Sequence, residues 1–222
     1  MGSVHARPAL DGAAEHDFNN ASVASVTLTT SHPHDVVIVG VILIFGTNIK
    51  VTSVTDSEGL VYSQRTRFSA CDGPAIEEWY TFAPTALSAD IITVTLSSVT
   101  LAPQNGFIAW GVSGSAVSKF DDSPSFPATS AEANCSSPLS TAFSTHSRND
   151  FIFGLIAIND GNEYHGQGFT SLASNSGSGG DFLGSMDLMY QVTTGIRSVS
   201  SASTSGQVVI MVVDAVQLAG PF

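Results

Sequence analysis

Hydrophobic positions recur along this chain with the period of strands. Ala24 to Thr30 sets Val26 and Leu28 against Ser25, Thr27 and Thr29, the alternation of a half-buried strand. Asp35 to Phe45 is a continuous β-branched run through Val36, Val37, Ile38, Val39, Val41, Ile42 and Ile44, which suits a strand covered on both faces. The same reading predicts strands at Ile49–Thr55, Leu60–Phe68, Ile76–Phe82, Ile91–Leu96 and Gly106–Val112. Later ones fall at Leu139–Ser144, Phe151–Ile158, Gly168–Leu172, Met186–Val192, Ile196–Ser201 and Gln207–Val216. Turn residues separate them, as in Asp56-Ser57-Glu58-Gly59 and Asp160-Gly161-Asn162. No stretch has the period of an amphipathic helix. Many short strands punctuated by Gly, Pro and Asp predict an all-β fold, a two-sheet antiparallel β-sandwich of jelly-roll type.

Residues 1–21 lack either periodicity, and Pro8, Gly12, Asn19 and Asn20 interrupt any regular element. They are expected to form an extended N-terminal arm, ordered only against another subunit or the edge of its own sandwich. Residues 22–222 then form one β-sandwich domain. It divides into halves 22–113 and 138–222, joined by a Ser- and Pro-rich loop over 114–137. The halves echo each other: Thr30 and Asp35-Val-Val-Ile recur 115 residues later as Thr145 and Asp150-Phe-Ile-Phe. Tyr80 and Tyr190 follow in matching places, although any two β-rich stretches align about this well. Ala173–Gly180, mostly Ser and Gly, reads as a flexible loop.

Charge narrows the partners. Seven basic residues against 19 acidic ones leave a formal net charge of −12 in 222 residues. Phosphate binding needs clustered cations, and only Arg65 and Arg67 stand close together, so nucleic acid is not an expected partner. Val36–Phe45 is too short to cross a membrane as a helix, and membrane insertion is not expected either. Met1–Asn20 carries His, Arg, Asp and Glu without an apolar run and does not read as a secretory leader. Cys71 and Cys135 admit one disulfide, either bridged or free.

Candidate chemistry is sparse. Asp56 and Glu58 in one loop, and Asp160, Asn162 and Glu163 in another, offer the oxygen ligands that calcium prefers. Neither loop has the twelve-residue calcium pattern, and solvated acidic turns are the plainer reading. His32 and His34 flank Pro33 without an evident third zinc ligand. Glu77 and Glu78 are neighbours on a strand and face opposite ways, so they do not form one catalytic carboxylate pair. Trp79 and Tyr80, with Asn175 in the Gly-rich loop, mark the place to look for sugar stacking; core packing is the competing role for the aromatic residues. No nucleophile elbow is present, and no enzyme activity is expected.

Several short motifs run through most of the chain. They include Val54-x-Asp56-x-x-Gly59-Leu60, Glu77-x-Trp79-Tyr80, Val112-Ser113-Gly114, Asn149-Asp150, Gly166-x-Gly168-Phe169-Thr170 and Tyr190-Gln191-Val192. From Ser22 onward this succession resembles a broad group of β-sandwich modules in phage-related structural proteins and in prokaryotic surface proteins. Its motifs are turn and core positions, so it implies a fold and carries no catalytic residues. The Asp214-Ala215-Val216 ending and the two cysteines fall outside it. The resemblance implies a non-enzymatic structural subunit of a homo-oligomeric assembly, as a capsid-decoration or tail component of a virion or a surface filament. Its partners would be copies of itself and other subunits, on a virion or an extracellular surface. The alternative is a carbohydrate-binding or adhesion module recognising a surface glycan. No cofactor is expected other than calcium at the loops named above.

Overall fold

Why the central strand is apolar on both sides becomes plain from the layers around it. The computed structural model describes residues 8–43, 48–70, 73–100, 105–131, 139–145, 150–158, 169–176, 185–193, 196–201 and 209–218. Sixteen strands cover most of these, and no helix occurs among them. In chain order they are β1 (Ala9–Asp17), β2 (Val23–Leu28), β3 (Asp35–Leu43), β4 (Val51–Thr55), β5 (Ser63–Ser69), β6 (Ala75–Ala83), β7 (Asp90–Leu96) and β8 (Gly106–Ser113). The second set is β9 (Ser115–Phe120), β10 (Ala128–Ala131), β11 (Leu139–Ser144), β12 (Asp150–Ile158), β13 (Thr170–Ser176), β14 (Ser185–Thr193), β15 (Ile196–Ser201) and β16 (Val209–Leu218).

All pairings are antiparallel. One sheet runs β1-β8-β3-β6-β5 and faces a three-stranded sheet β2-β7-β4. Another runs β10-β16-β12-β14-β13, with β9 also on β16, and a two-stranded ribbon β11-β15 accompanies it. The two larger orders are the same order. Matching β1, β8, β3, β6 and β5 with β10, β16, β12, β14 and β13 preserves every neighbour. Registers agree as well: Ile38 lies between Tyr80 and Trp110, and Phe153 lies between Tyr190 and Asp214. The expected antiparallel sandwich is therefore present, and it occurs twice.

The repeats stack through their larger sheets. Val37, Val39, Val41 and Leu43 of β3 face Val26, Leu28, Ile92 and Val94 of the three-stranded sheet. Val36, Ile38 and Ile42 face the other way, into a second core with Phe151, Phe153, Leu155, Val212 and Val216. Behind β12 lies a third core in which Ile152, Ile156, Met211 and Val213 meet Phe143 of β11. Four layers result. Trp110 is fully buried in the middle core, edge-on to Phe153 at 5.1 Å. At Gly40 the layers approach so closely that an added Cβ would stand 2.6 Å from a methyl of Leu155.

Three segments form strands where the pattern predicts none. Ala9–Asp17 of the expected arm is β1, an edge strand paired with β8, so the arm lies on the edge of its own sandwich, one of its two expected places. Its register shifts between Leu10 and Ala13, and the bulge there is what hid it from a period-two reading. Gly12 occupies a left-handed conformation (φ +84°), and a Cβ there would strike the Thr29 carbonyl. Within the expected 114–137 loop, β9 and β10 pair one after the other along the same edge of β16. They do for the second repeat what β1 does for the first. Strand β13 continues through Ser176, into the stretch expected to be a flexible loop.

The Gly40 contact predicts a non-additive pair of substitutions. Gly40→Ala alone overfills the gap and should cost about 1–3 kcal/mol. Leu155→Ala alone should cost about 2–5 kcal/mol. The double variant should cost clearly less than the sum in urea denaturation, because the new methyl occupies space that Leu155 vacates. Additive costs would mean that the two sheets do not meet at this point.

Candidate functional site

Strand β6 presents its side chains alternately to two different interiors, and each of its glutamates is buried. Glu77 points to the mouth between the five- and three-stranded sheets. Its Oε1 accepts from the Val51 backbone N–H at 3.0 Å and from Arg67 Nε at 3.2 Å. Its Oε2 accepts from Gln64 Nε2 at 3.0 Å and from the indole Nε1 of Trp79 at 3.3 Å. Four donors saturate this carboxylate and tie β4, β5 and β6 together. They also frame an open cavity of about 350 Å³ lined by Lys50, Val51, Thr52, Gln64, Arg67, Glu77 and Trp79.

Trp79 and Tyr80 do not share a surface. Trp79 is half-buried against the core of the first sandwich and lines the cavity. Tyr80 turns into the core between the repeats, edge-on to Phe120 at 4.9 Å and to Phe82 at 5.7 Å. The period-two geometry that separates Glu77 from Glu78 separates these aromatic neighbours too. An aromatic row built from both is thereby corrected to a single tryptophan. Asn175 lies on β13 with its backbone opposite Met186.

The acidic loop at residue 56 is a clamp on its own turn. Asp56 Oδ1 accepts from the Leu60 N–H at 2.9 Å, and Gly59 supplies the left-handed residue of the turn. Glu58 is exposed. Asp90 accepts from the backbone and hydroxyl of Ser57, at 3.1 and 2.6 Å. Burial, followed by the charges of Asp56 and Asp90, pushes the Tyr62 hydroxyl upward, so it stays protonated. Among the described residues no group of three or more His, Cys, Asp or Glu side chains is placed to hold a metal ion. Asp160, Asn162 and Glu163 lie outside the described residues, as do Cys71 and Cys135.

Two buried acid clusters escaped the sequence reading. At one end of the first sandwich, Asp11 Oδ2 accepts from the Ser31 N–H, the His32 N–H and His32 Nδ1, each at 2.8 Å. Burial pushes Asp11 up, but these bonds outweigh it and hold its carboxyl below the usual range. Neighbouring Asp35 is pushed up to about 7, by burial first and then by the Asp11 charge. His32, one of the two histidines flanking Pro33, is therefore engaged with Asp11. The second cluster sits between the repeats. Asp214 of β16 accepts from Arg65 Nε at 2.8 Å, and the guanidinium lies 4.5 Å from the centre of the Phe120 ring. Glu78 is buried beside Asp214; burial and that neighbouring charge hold its carboxyl well above the usual range, against the pull of Arg65. Asp214 is raised to about 6, chiefly by burial, with Arg65 and the Ala215 N–H opposing. The only cue in the sequence was an acid within an apolar run, Val212-Val-Asp-Ala-Val216.

Two outcomes follow from the second cluster. Glu78 and Asp214 keep protons at pH values where the unfolded chain, with ordinary carboxyl values near ~4, has lost them. Their contribution is therefore full below about pH 4 and declines as pH rises through the raised values. Urea titrations should show stability falling as pH rises from about 4 through the Asp214 value of about 6, and Glu78→Gln should flatten that decline. An unchanged slope in this variant would remove Glu78 from the account. Arg65→Met should cost about 3–5 kcal/mol at pH 7, because it leaves Asp214 buried without its cation. Thermal melts of this variant and of Arg65→Lys would check it. In comparisons with known proteins, no protein family, curated protein or solved structure matches the chain.

Proposed function

We propose that this chain is a non-enzymatic structural subunit of a homo-oligomeric assembly, a virion decoration or tail component or a surface filament. The observation that carries the reading is the outer face of the three-stranded sheet. Across it run Val23, Thr95 and Ser53 in one row and Ser25, Thr93 and Thr55 in the next, with Thr27 and Ile91 opposite each other beyond. Val23 is 49% exposed and Ile91 50% exposed, and none of these side chains carries a charge. In a chain of net charge −12, such a face is where a second copy approaches with least repulsion. Its β-branched residues are stiff and lose little freedom on contact. The resemblance to modules of phage and surface proteins supports the same reading. So does the strand order, in which β1-β8-β3-β6 faces β2-β7-β4 as in a jelly roll whose β5 has moved to the larger sheet. Copies of the chain and other subunits of a virion or outer surface are the partners this reading names.

A second reading, recognition of a surface glycan, is favoured by one observation: Trp79 lines an open cavity with polar side chains around it. A single ring replaces the expected aromatic row, which makes this the lesser role.

Size-exclusion chromatography with light scattering, followed by electron microscopy, tests assembly directly. The chain should run as a homo-oligomer, and Val23→Lys with Ile91→Lys should yield a monomer of unchanged melting temperature. A wild-type chain that stays monomeric at high concentration would defeat the structural reading.

A further inference from the structure

We infer that the Trp79 cavity takes an acidic saccharide, one sugar ring lying on the indole and its carboxylate meeting Lys50; this rests on the glycan reading and goes further in naming the ligand's charge. Glu77 sets the chemistry of the lining. Its carboxylate, the single acidic group lining the cavity among the described residues, is fully buried and already accepts four N–H donors from inside the protein. It has no capacity left for a hydroxyl or a cation from outside. Its work is to orient Trp79, Gln64 and Arg67.

The remaining charge at the opening is cationic. Lys50 and Arg67 are two of only seven basic residues in the chain, and they converge on this one cavity. Arg67 is matched by Glu77 at 3.2 Å. Lys50 is exposed and has no carboxylate partner among the described residues, so the lining carries a net positive charge on a strongly negative protein. On a protein of net charge −12, such a lining attracts an anion locally.

Shape and surface complete the class. About 350 Å³ lies at the lower end of the usual range for ligand sites and suits one or two sugar rings. The indole supplies an apolar platform; Gln64 keeps its amide oxygen and a second N–H beside its bond to Glu77, and Thr52, whose hydroxyl donates to the Thr95 carbonyl at 3.0 Å, keeps an acceptor oxygen for sugar hydroxyls. The indole N–H is held by Glu77, which restrains the ring and lowers the entropy lost on stacking. An inorganic anion would use Lys50 and leave the indole bare. A neutral sugar would use the indole and leave Lys50 unmatched.

The test is a fluorescence titration at low ionic strength with a galacturonic acid trisaccharide and its neutral galactose counterpart. Trp110 is fully buried, so a change in emission on binding reports Trp79. The acidic trisaccharide should bind more tightly than the neutral one by roughly twofold to fivefold, as one exposed charge contact allows. Lys50→Gln, a change at an exposed side chain, should lower the acidic affinity to the neutral one. Trp79→Phe, which removes the reporting indole and is therefore titrated by calorimetry, should weaken both. Equal binding of the two sugars would overturn the acidic assignment and leave the glycan reading standing. Binding of neither at millimolar concentration would overturn both. Acidic binding unchanged in Lys50→Gln and Trp79→Phe would show that the ligand sits elsewhere and overturn the inference.

Discussion

The middle core, where the two larger sheets meet face to face, is the contact on which the rest of this fold depends. Strand β3 and the described part of strand β12 are buried on both sides, so the centre of neither larger sheet faces solvent. A sheet of this kind is stable only when a second layer covers each side. The three-stranded sheet covers one side of β3, and the other repeat covers the opposite side. Each repeat thus completes the core of the other. Gly40 records how close the approach is, because a methyl group there would displace Leu155.

Into this apolar seam the chain places Glu78, Asp214 and Arg65. Apolar side chains in the same places would avoid the cost of desolvating an ion pair. The bond from Arg65 to Asp214 spans 149 residues and joins β5 of the first repeat to β16 of the second. It fixes how the two sheets sit on each other with a direction that dispersion contacts lack. The same logic recurs at the sandwich end, where Asp11 of the β1 bulge caps the backbone before β3. Asp121, which follows β9, stands in the corresponding place of the second repeat and is buried as well.

Equivalent strands do not make equivalent surfaces. In the first repeat, β4 forms the third strand of the smaller sheet and contributes Val51 to the lining of the cavity. The bulge between Val51 and Ser53 shifts the register of β4 on β7, and the Val51 N–H at its end turns to Glu77. Local irregularity at one strand end thereby opens a mouth with its own chemistry. The uncharged outer face and this mouth belong to different sides of the same small sheet, so assembly and ligand recognition need not compete.

The strands were legible in the sequence because their signal is local. Alternation at Ala24–Thr30 and the unbroken apolar run from Asp35 each reflect how many faces a strand buries, and both elements stand where the pattern put them. The recurrence of Asp35 and Tyr80 at Asp150 and Tyr190, no stronger than any two β-rich stretches give, falls on equivalent positions of the two repeats. Strand β1 was hidden because a bulge breaks the period, and β9 and β10 because short edge strands carry too few residues to show one. Alternation also put Glu77 and Glu78 on opposite faces, and with them Trp79 and Tyr80, without saying what each face would meet. That was decided by the stacking of the repeats, which made one face a buried acid seam and the other the mouth of a cavity. Contacts such as Arg65 with Asp214 depend on sheets brought together across most of the chain, and no local pattern of residues encodes which layer will lie opposite.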